Sequence, residues 1–133
     1  EMKINLPELS LKSIISLDKN IVLKSLGAKK NPLDLMGDAL SERYEIAIKT
    51  MLKQDDINGL LIMQTMQIMT DPMENAKIIV ELHKQFPAKP IVSCFAGKKL
   101  VQEAIDYLEK NKIPNYDDPK RAVQAISSLI IKK

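Results

Sequence analysis

The strongest constraint on the fold is an alternation of short apolar runs with longer segments that are apolar on one side only. Residues 60–63 and 91–95 are two such runs, and they follow the turn residues Gly59 and Pro90. Because these runs are apolar on both faces, they favour strands that are covered by helices on each side of a sheet. Strands that alternate with helices predict right-handed crossovers and a parallel sheet.

Four helices are predicted from apolar residues at helical spacing. Ser41, Asp71 and Asp118 are expected to cap three of them, and a proline follows each aspartate at the first helical position. The remaining helix is expected to run from about Lys98. The side chains expected to be buried are Tyr44, Ala47, Ile48 and Met51; Ala76, Ile79, Leu82 and Phe86; Leu100, Val101, Ala104, Ile105 and Leu108; and Ala122, Val123, Ile126, Leu129 and Ile130.

Two shorter runs, residues 33–35 and 113–116, are further strand candidates. With them the pattern predicts an α/β fold, a three-layer sandwich in which a parallel sheet of four or five strands carries helices on both faces. Residues 1–30 are expected to be a lead-in or linker segment that packs on the domain, with short helices after Ser10 and over residues 21–26. Residues 31–133 are expected to form the domain, since a chain of 133 residues suits a single core.

Charge and composition argue against several classes of protein. The net charge is +3, the 20 basic residues are spread along the chain, and only 4% of the residues are aromatic, which disfavours a nucleic-acid groove with stacking platforms. No apolar run approaches the roughly 20 residues of a membrane span. The single cysteine, Cys94, excludes an internal disulfide and a multi-cysteine metal site, and it fits a cytoplasmic location.

Ligands of an open parallel sheet bind beyond the carboxyl ends of its strands, where helix N-termini attract anions. The loops expected at that edge are residues 36–39, 64–72, 96–97 and 116–119. Two alternatives with the same architecture lack their signatures: a phosphorelay receiver needs an aspartate after the run that ends at Phe95, and a flavodoxin needs aromatic residues around its flavin, whereas this chain has no tryptophan. The glycine fingerprint of dinucleotide sites and the Gly-Lys-Ser/Thr phosphate loop are also absent.

Four motifs in order carry a resemblance to a known family. Residues 31–39, followed by Glu42-Arg43-Tyr44, resemble N-P-x-D-x-x-G-D-A … E-R-Y, and residues 55–62 resemble D-x-x-V-D-x-V-L-V. Residues 65–72 resemble T-P-Q-x-M-T-D-P, and residues 113–123 resemble I-P-x-Y-x-x-P-E-R-A-V. The chain therefore resembles the C-terminal flavodoxin-like domain in the CoA-binding subunit of ADP-forming acetyl-CoA synthetases. It is more loosely similar to the C-terminal domain of the succinyl-CoA synthetase β subunit.

The resemblance implies a role in a reversible reaction that converts acyl-CoA, phosphate and ADP into a carboxylic acid, CoA and ATP. The intermediates are an acyl phosphate and a phosphohistidine. The histidine belongs to a neighbouring CoA-binding or histidine-bearing domain, and an ATP-grasp domain or subunit handles the nucleotide with Mg²⁺. This fragment then binds no cofactor or metal alone, has no catalytic residue, and presents a helix N-terminus to the phosphohistidine.

The same resemblance implies which positions face the substrate. The residues implied are Asn31, Gln67, Ile68, Met69, Thr70 and Asp71, with Gly37 and Gly97 in possible anion-facing loops. The alternative function is a regulatory or interaction module in a synthetase-like protein acyltransferase, without ligase turnover. His83 and Cys94 are expected to be structural, Met63 and Met73 to lie in the core, and Lys98 and Lys99 to be solvated.

Overall fold

Helices and strands alternate along the residues that the computed structural model describes, 4–20 and 29–131. Five α-helices and two β-strands lie in these residues. In chain order they are α1 (Leu11–Lys19), α2 (Ser41–Lys53), β1 (Leu60–Thr65), α3 (Pro72–Gln85), β2 (Ile91–Ala96), α4 (Gln102–Lys110) and α5 (Pro119–Ile131), and a 3-10 helix (Lys98–Val101) leads into α4. This alternation confirms the predicted α/β class.

β1 and β2 pair in parallel, and the register runs from Leu60 opposite Ile91 to Thr65 opposite Ala96. A parallel bridge joins Ser93 to Asn115 on the other side of β2. The backbone N–H of Ser93 donates to the Pro114 carbonyl at 2.9 Å, and the N–H of Tyr116 donates to the Ser93 carbonyl at 3.0 Å. Both predicted central strands and their parallel pairing are therefore confirmed.

The two shorter strand candidates do not form strands in the described part of the chain, so the sheet there has two strands and one bridge rather than four or five strands. Residues 113–116 reach only the bridge, because Pro114 has no N–H to continue a ladder. Residues 33–35 run into a turn: the Asp34 carboxylate accepts the N–H of Met36 at 2.9 Å, and Met36 has a φ of 68°. Leu33 and Leu35 still pack against the core.

Each face of the sheet has its own apolar cluster. On one face Leu60, Ile62, Ile91 and Phe95 pack with residues of α2, α3 and α4. On the other face Val92 and Cys94 pack with Ala122 and Ile126 of α5. Alternate residues of a strand point to opposite faces, so the sheet is covered by helices on both faces and the three-layer arrangement is confirmed.

Two residues expected on the buried faces of the helices are instead exposed: Leu100 is 71% exposed and Leu129 is 41% exposed. Leu100 lies in the 3-10 helix rather than in an α-helix, and the tighter turn changes the direction of its side chain. The other predicted core positions of the four helices are buried or half-buried.

Helix caps follow the sequence at two of the three expected positions. The Asp71 carboxylate accepts the N–H of Glu74 at 3.0 Å, and Pro72 is the first residue of α3. The Asp118 carboxylate accepts the N–H of Lys120 at 2.8 Å at the start of α5. Ser41 is not a cap: it is the first helical residue of α2, and the residue before it, Leu40, has no side chain that could accept a hydrogen bond.

α1 packs on α2 through a buried glutamine. The Gln54 side chain accepts the backbone N–H of Ser10 at 2.9 Å and the Ser13 hydroxyl at 2.8 Å, and it donates to the Glu8 carbonyl at 2.7 Å. The short helix expected after Ser10 is confirmed as α1, and the Ser10 side chain caps it by accepting the N–H of Ser13. The expected helix over residues 21–26 lies outside the described residues. None of the helices in residues 4–20 and 29–131 combines the length and apolar character of a membrane span.

Candidate functional site

The loop between β1 and α3, residues 66–71, is a tight turn at the carboxyl end of the sheet. The N–H of Thr70 donates to the Gln67 carbonyl at 3.1 Å, and the N–H of Gln67 donates to the Thr70 hydroxyl at 3.0 Å. Asp71 then caps α3 through Glu74. The turn is closed by its own backbone and by Thr70, so the side chains at its two central positions, Ile68 and Met69, are not needed to form it.

Backbone N–H groups are left open around this turn. The N–H groups of Ile68, Met69, Asp71 and Met73 donate to no atom of the described residues. The N–H of Met73 lies in the first turn of α3, where open N–H groups carry the positive end of the helix dipole and bind anions without a basic side chain, whereas the other three precede the helix. The turn therefore offers a cluster of donors to a negatively charged group.

Four large apolar side chains in this turn and in the neighbouring residues of the same region are exposed. Ile68 is completely exposed, and Met36, Met63 and Met69 are each about half exposed, at 57%, 56% and 47%. Met63 was expected in the core, and that prediction is wrong. Met63 sits on the α5 face of the sheet, where α5 covers Leu61 and Cys94 but leaves the end of β1 open.

Three of the predicted loops meet at this edge. A β-carbon built on Gly37 would lie 3.7 Å from Cγ of Gln67, so the loop before α2 touches the turn after β1. A β-carbon built on Gly97 would lie 2.7 Å from Cγ of Met66, so the loop after β2 touches it from the other side. The structure thus brings Gly37, Gly97 and residues 66–71 together.

Asn31 is not part of this group. Its side chain donates to the Pro7 carbonyl at 3.0 Å, in the lead-in segment, and its peptide bond to Pro32 is cis. Asn31 is half-buried and does not line the cavity described next. The implied contact between Asn31 and substrate therefore has no support in this arrangement.

A half-open cavity of about 340 Å³ lies between residues 33–37, α2 and β1. Apolar residues such as Leu35 and Ile48 line it together with polar ones, among them Thr65, Gln67 and Thr70, so its wall is about equally polar and apolar. Burial raises the pKa of Tyr44. Sequence reasoning missed this cavity, because it assigned residues 33–35 to a strand that would have filled the space beside β1.

Arg43 fixes the loop that forms one wall of the cavity. Its guanidinium donates to the Leu35 carbonyl at 2.8 Å and to the Asp38 carboxylate at 2.6 Å. The hydrogen bond to Arg43 and the charge of Arg43 lower the pKa of Asp38, which lies at the surface. The role of Arg43 could not be read from its spacing, although it stands in the E-R-Y motif.

A buried amide pair lies beneath the turn. Gln64 and Asn75 are 2% and 0% exposed, and the Asn75 amide donates to the Gln64 side-chain oxygen at 2.6 Å. Gln64 Nε2 and Asn75 Oδ1 have no partner among the described residues. A polar residue that ends an otherwise apolar strand was the available signal for this pair.

The remaining candidates agree with structural roles. His83 lies in the last turn of α3, at the end away from the turn 66–71. Cys94 is buried in β2, and burial, followed by the charges of Asp118 and Asp117, raises the pKa of its thiol. Lys98 and Lys99 are exposed, as expected. No group of three or more His, Cys, Asp or Glu side chains in the described ranges is arranged to hold a metal ion.

Comparison with known proteins gives consistent matches. The family model described as the Ligase-CoA domain matches residues 10–129. The chain is 36% identical over 104 residues to the alpha subunit of acetate–CoA ligase [ADP-forming] I of Pyrococcus furiosus, a match that covers 77% of this chain and 22% of that protein. It is 42% identical over 121 residues to the acetate–CoA ligase [ADP-forming] of Methanocaldococcus jannaschii, covering 89% of this chain and 17% of that protein.

Solved structures agree with these matches. One is the dinucleotide forming acetyl-coenzyme A synthetase 1 of Ca. Korarchaeum cryptofilum in complex with phosphate and ADP, which is 30% identical with a TM-score of 0.76 over 89% of this chain and 25% of that one. A protein from Pyrococcus horikoshii OT3 is 28% identical, with a TM-score of 0.84 over 96% of this chain and 29% of that one. The chain thus spans about a fifth of the curated relatives and about a quarter of the solved chains.

Proposed function

The chain belongs to the Ligase-CoA domain family, and from that membership we propose that it is the ligase-type domain of an ADP-forming acyl-CoA synthetase. In that enzyme, acyl-CoA, phosphate and ADP give a carboxylic acid, CoA and ATP through a phosphohistidine. The histidine is carried by a neighbouring domain, and this domain presents the turn 66–71 to it. Residues 31–133 are then the ligase-type unit, and residues 1–30 are its lead-in segment.

The observation that supports this proposal is the cluster of open N–H groups at Ile68, Met69, Asp71 and Met73. A phosphohistidine is an anion, and α3 points its N-terminus at the same place. A helix N-terminus stabilises an anion by about 0.3–1 kcal/mol when exposed and by up to about 2 kcal/mol when partly buried. Neither Gln67 nor Thr70 is charged, so their polar groups hold the turn without neutralising the anion.

Asp71 gives the site its selectivity in this proposal. Its carboxylate already occupies the N–H of Glu74, and it repels any second anion at the start of α3. Free phosphate is therefore expected to bind the isolated domain poorly. A phosphoryl group on a docked partner meets the same repulsion, and in this proposal the partner's own contacts hold the group beside the open N–H groups.

The proposal leaves cofactors to the partner domains. CoA, ATP or ADP, and Mg²⁺ are bound by the CoA-binding, histidine-bearing and ATP-grasp domains, in a cytoplasmic enzyme. Within this chain Gly97 lets the loop after β2 approach the turn closely, since a β-carbon there would lie 2.7 Å from Cγ of Met66, and Gly37 and Gly97 lie in the loops proposed to face the anion. The contact between Asn31 and substrate is also part of the proposal, and it rests on the place of Asn31 in the family motif.

The test separates the N–H of Ile68 from its side chain. Ile68 is the second residue of a four-residue turn, a position where proline is favoured, so Ile68→Pro removes the N–H and leaves the turn intact. Ile68→Ala keeps the N–H and is the matched control. In the synthetase assembled with its other domains, Ile68→Pro should form phosphohistidine about fivefold more slowly than Ile68→Ala, as the loss of one hydrogen bond worth about 1 kcal/mol requires. Equal rates in the two variants would contradict the proposal.

A further inference from the structure

The loop between α2 and β1 contains the dipeptide Asn58-Gly59, to which the proposed function assigns no role. Asn58 is exposed, and its side chain makes no hydrogen bond to the described residues. The backbone N–H of Gly59 also donates to none of them. An asparagine amide and the backbone nitrogen of the next residue are the two groups that react in succinimide formation, and here both are free of hydrogen bonds within the described part of the chain.

The glycine at position 59 serves packing and also favours this reaction. A β-carbon built on Gly59 would lie 3.1 Å from Cδ1 of Ile126 and 3.1 Å from Cγ1 of Ile130, so the start of β1 lies close against α5 and a larger residue would press on both isoleucines. Glycine has no side chain. Nothing on residue 59 therefore hinders the approach of its nitrogen to the amide carbon of Asn58.

We propose that Asn58 is a site of spontaneous deamidation, with the Gly59 nitrogen as the nucleophile. The deprotonated nitrogen attacks Cγ of Asn58, a succinimide ring closes, and the side-chain nitrogen leaves as ammonia together with the proton that the backbone gave up. Water then opens the ring: addition at the side-chain carbonyl gives aspartate, and addition at the main-chain carbonyl gives isoaspartate. Nothing is oxidised or reduced, and water is the sole co-reactant.

Other asparagines of the chain are protected by the fold. At Asn111 and Asn115 the next N–H group donates to a backbone carbonyl, at 3.0 Å in both cases, and it must leave that hydrogen bond before it can react. Asn31 is followed by Pro32, whose nitrogen carries no proton. Asn75 is completely buried in α3. The structure therefore favours Asn58 for a reason that goes beyond the identity of the residue that follows it.

The modification changes the entry into the sheet. An isoaspartyl residue routes the main chain through the side-chain methylene, immediately before the N–H of Leu60 donates to the Pro90 carbonyl at 2.9 Å and the pairing of β1 with β2 begins. Both products also place a new carboxylate close in sequence to the exposed Asp55 and Asp56, and like charges repel. The isoaspartyl form should therefore be less stable than the unmodified protein.

Peptide mapping by mass spectrometry measures the reaction in the intact protein, folded in buffer and unfolded in concentrated urea at the same pH. Asn58 should deamidate in the folded protein within about threefold of its rate in the unfolded chain, because an exposed loop opens at almost no cost in free energy. Folding should slow Asn115 at least about tenfold, because the N–H that follows it is held in a hydrogen bond.

The matched control is Asn58→Gln, which keeps the amide but would have to close a larger and less favourable ring. Isoaspartyl methyltransferase should label the aged wild-type protein and leave the aged Asn58→Gln variant nearly unlabelled. Two outcomes overturn the inference. One is an Asn58 that stays intact in the folded protein while the unfolded chain loses its amide, since the fold would then block the attack. The other is equal labelling of both aged proteins, since the isoaspartate would then lie elsewhere.

Discussion

The loops that follow β1 and β2 lie at the same edge of the sheet, yet they are held in place by different means. The loop after β1 is fixed by polar side chains: Thr70 closes the turn and Asp71 caps the helix. The loop after β2 has no side-chain cap, and it depends on backbone conformation at Gly97 and Lys98, whose φ values are 156° and 51°. The first loop offers apolar side chains and an acid, whereas the second offers two lysines.

This difference teaches that one edge carries two kinds of surface. Around the first loop the N–H groups are open, but the carboxylate of Asp71 lies next to them and repels free anions. This arrangement suits a phosphoryl group that a docked partner holds in place. In the second loop Gly97 allows close contact with Met66. The second loop therefore packs against the first loop and supports it. If that division is correct, substitutions in the two loops should differ in both size and sign.

The largest effect is expected at Gly97. A β-carbon there would lie 2.7 Å from Cγ of Met66 and 2.9 Å from Cγ1 of Val101, and the φ of 156° disfavours any other residue. Gly97→Ala should lower the free energy of unfolding by about 3 kcal/mol. Gly37→Ala is the control, because its β-carbon meets Gln67 at an ordinary 3.7 Å and its φ is not positive. Urea unfolding curves that coincide for the two variants would refute the special role of Gly97.

A smaller loss is expected from the amide pair beneath the first loop. Asn75→Leu removes the only hydrogen bond of the buried Gln64 side chain to a described residue and should cost about 2 kcal/mol. The double variant with Gln64→Leu replaces both partners by apolar groups and should recover most of that loss. Thermal or urea unfolding of the single and double variants measures both the loss and its recovery. A double variant less stable than Asn75→Leu would show that the pair makes contacts beyond its own hydrogen bond.

Sequence reasoning succeeded where one local rule decides the structure. The apolar runs 60–63 and 91–95 became paired strands, and Asp71-Pro72 started a helix as its residue types dictate. Sequence reasoning failed where long-range packing determines the structure. Met63 fits a core strand by composition, but no helix in residues 4–20 and 29–131 covers that end of β1, and Met63 is 56% exposed.

The candidate site was predicted only in outline. The turn 66–71 was found from a family motif, and the cap at Asp71 follows from local chemistry. The cavity and the Gln64–Asn75 pair depend on how residues 33–37 and α3 pack against β1. The spacing of residues along the sequence does not predict that packing. The substrate contact of Asn31 that the resemblance implies stays a prediction, and its side chain donates to the Pro7 carbonyl in this structure.

A loss of about 1 kcal/mol is expected when the cap of the first loop is removed by Asp71→Ala. The N–H of Glu74 then loses its acceptor, while the exposed position limits the cost. Asp71→Asn keeps a capping oxygen and should unfold at nearly the wild-type urea concentration, because asparagine caps helices about as well as aspartate. Equal destabilisation by both variants would mean that the charge of Asp71, rather than its hydrogen bond, stabilises α3.

The smallest effect should have opposite signs at two neighbouring lysines of the second loop. Lys98 is exposed and has a φ of 51°, a conformation that glycine adopts without steric cost, so Lys98→Gly should stabilise the protein by about 0.5 kcal/mol. Lys99 is also exposed but is not among the residues with positive φ, so Lys99→Gly should destabilise by about 0.5–1 kcal/mol through the greater freedom of glycine in the unfolded chain. Both substitutions remove one positive charge, so an electrostatic origin predicts the same sign for both. If urea unfolding finds changes of opposite sign in the free energy of unfolding, the second loop is stabilised by its backbone conformation. Changes of the same sign would remove the distinction between the two loops.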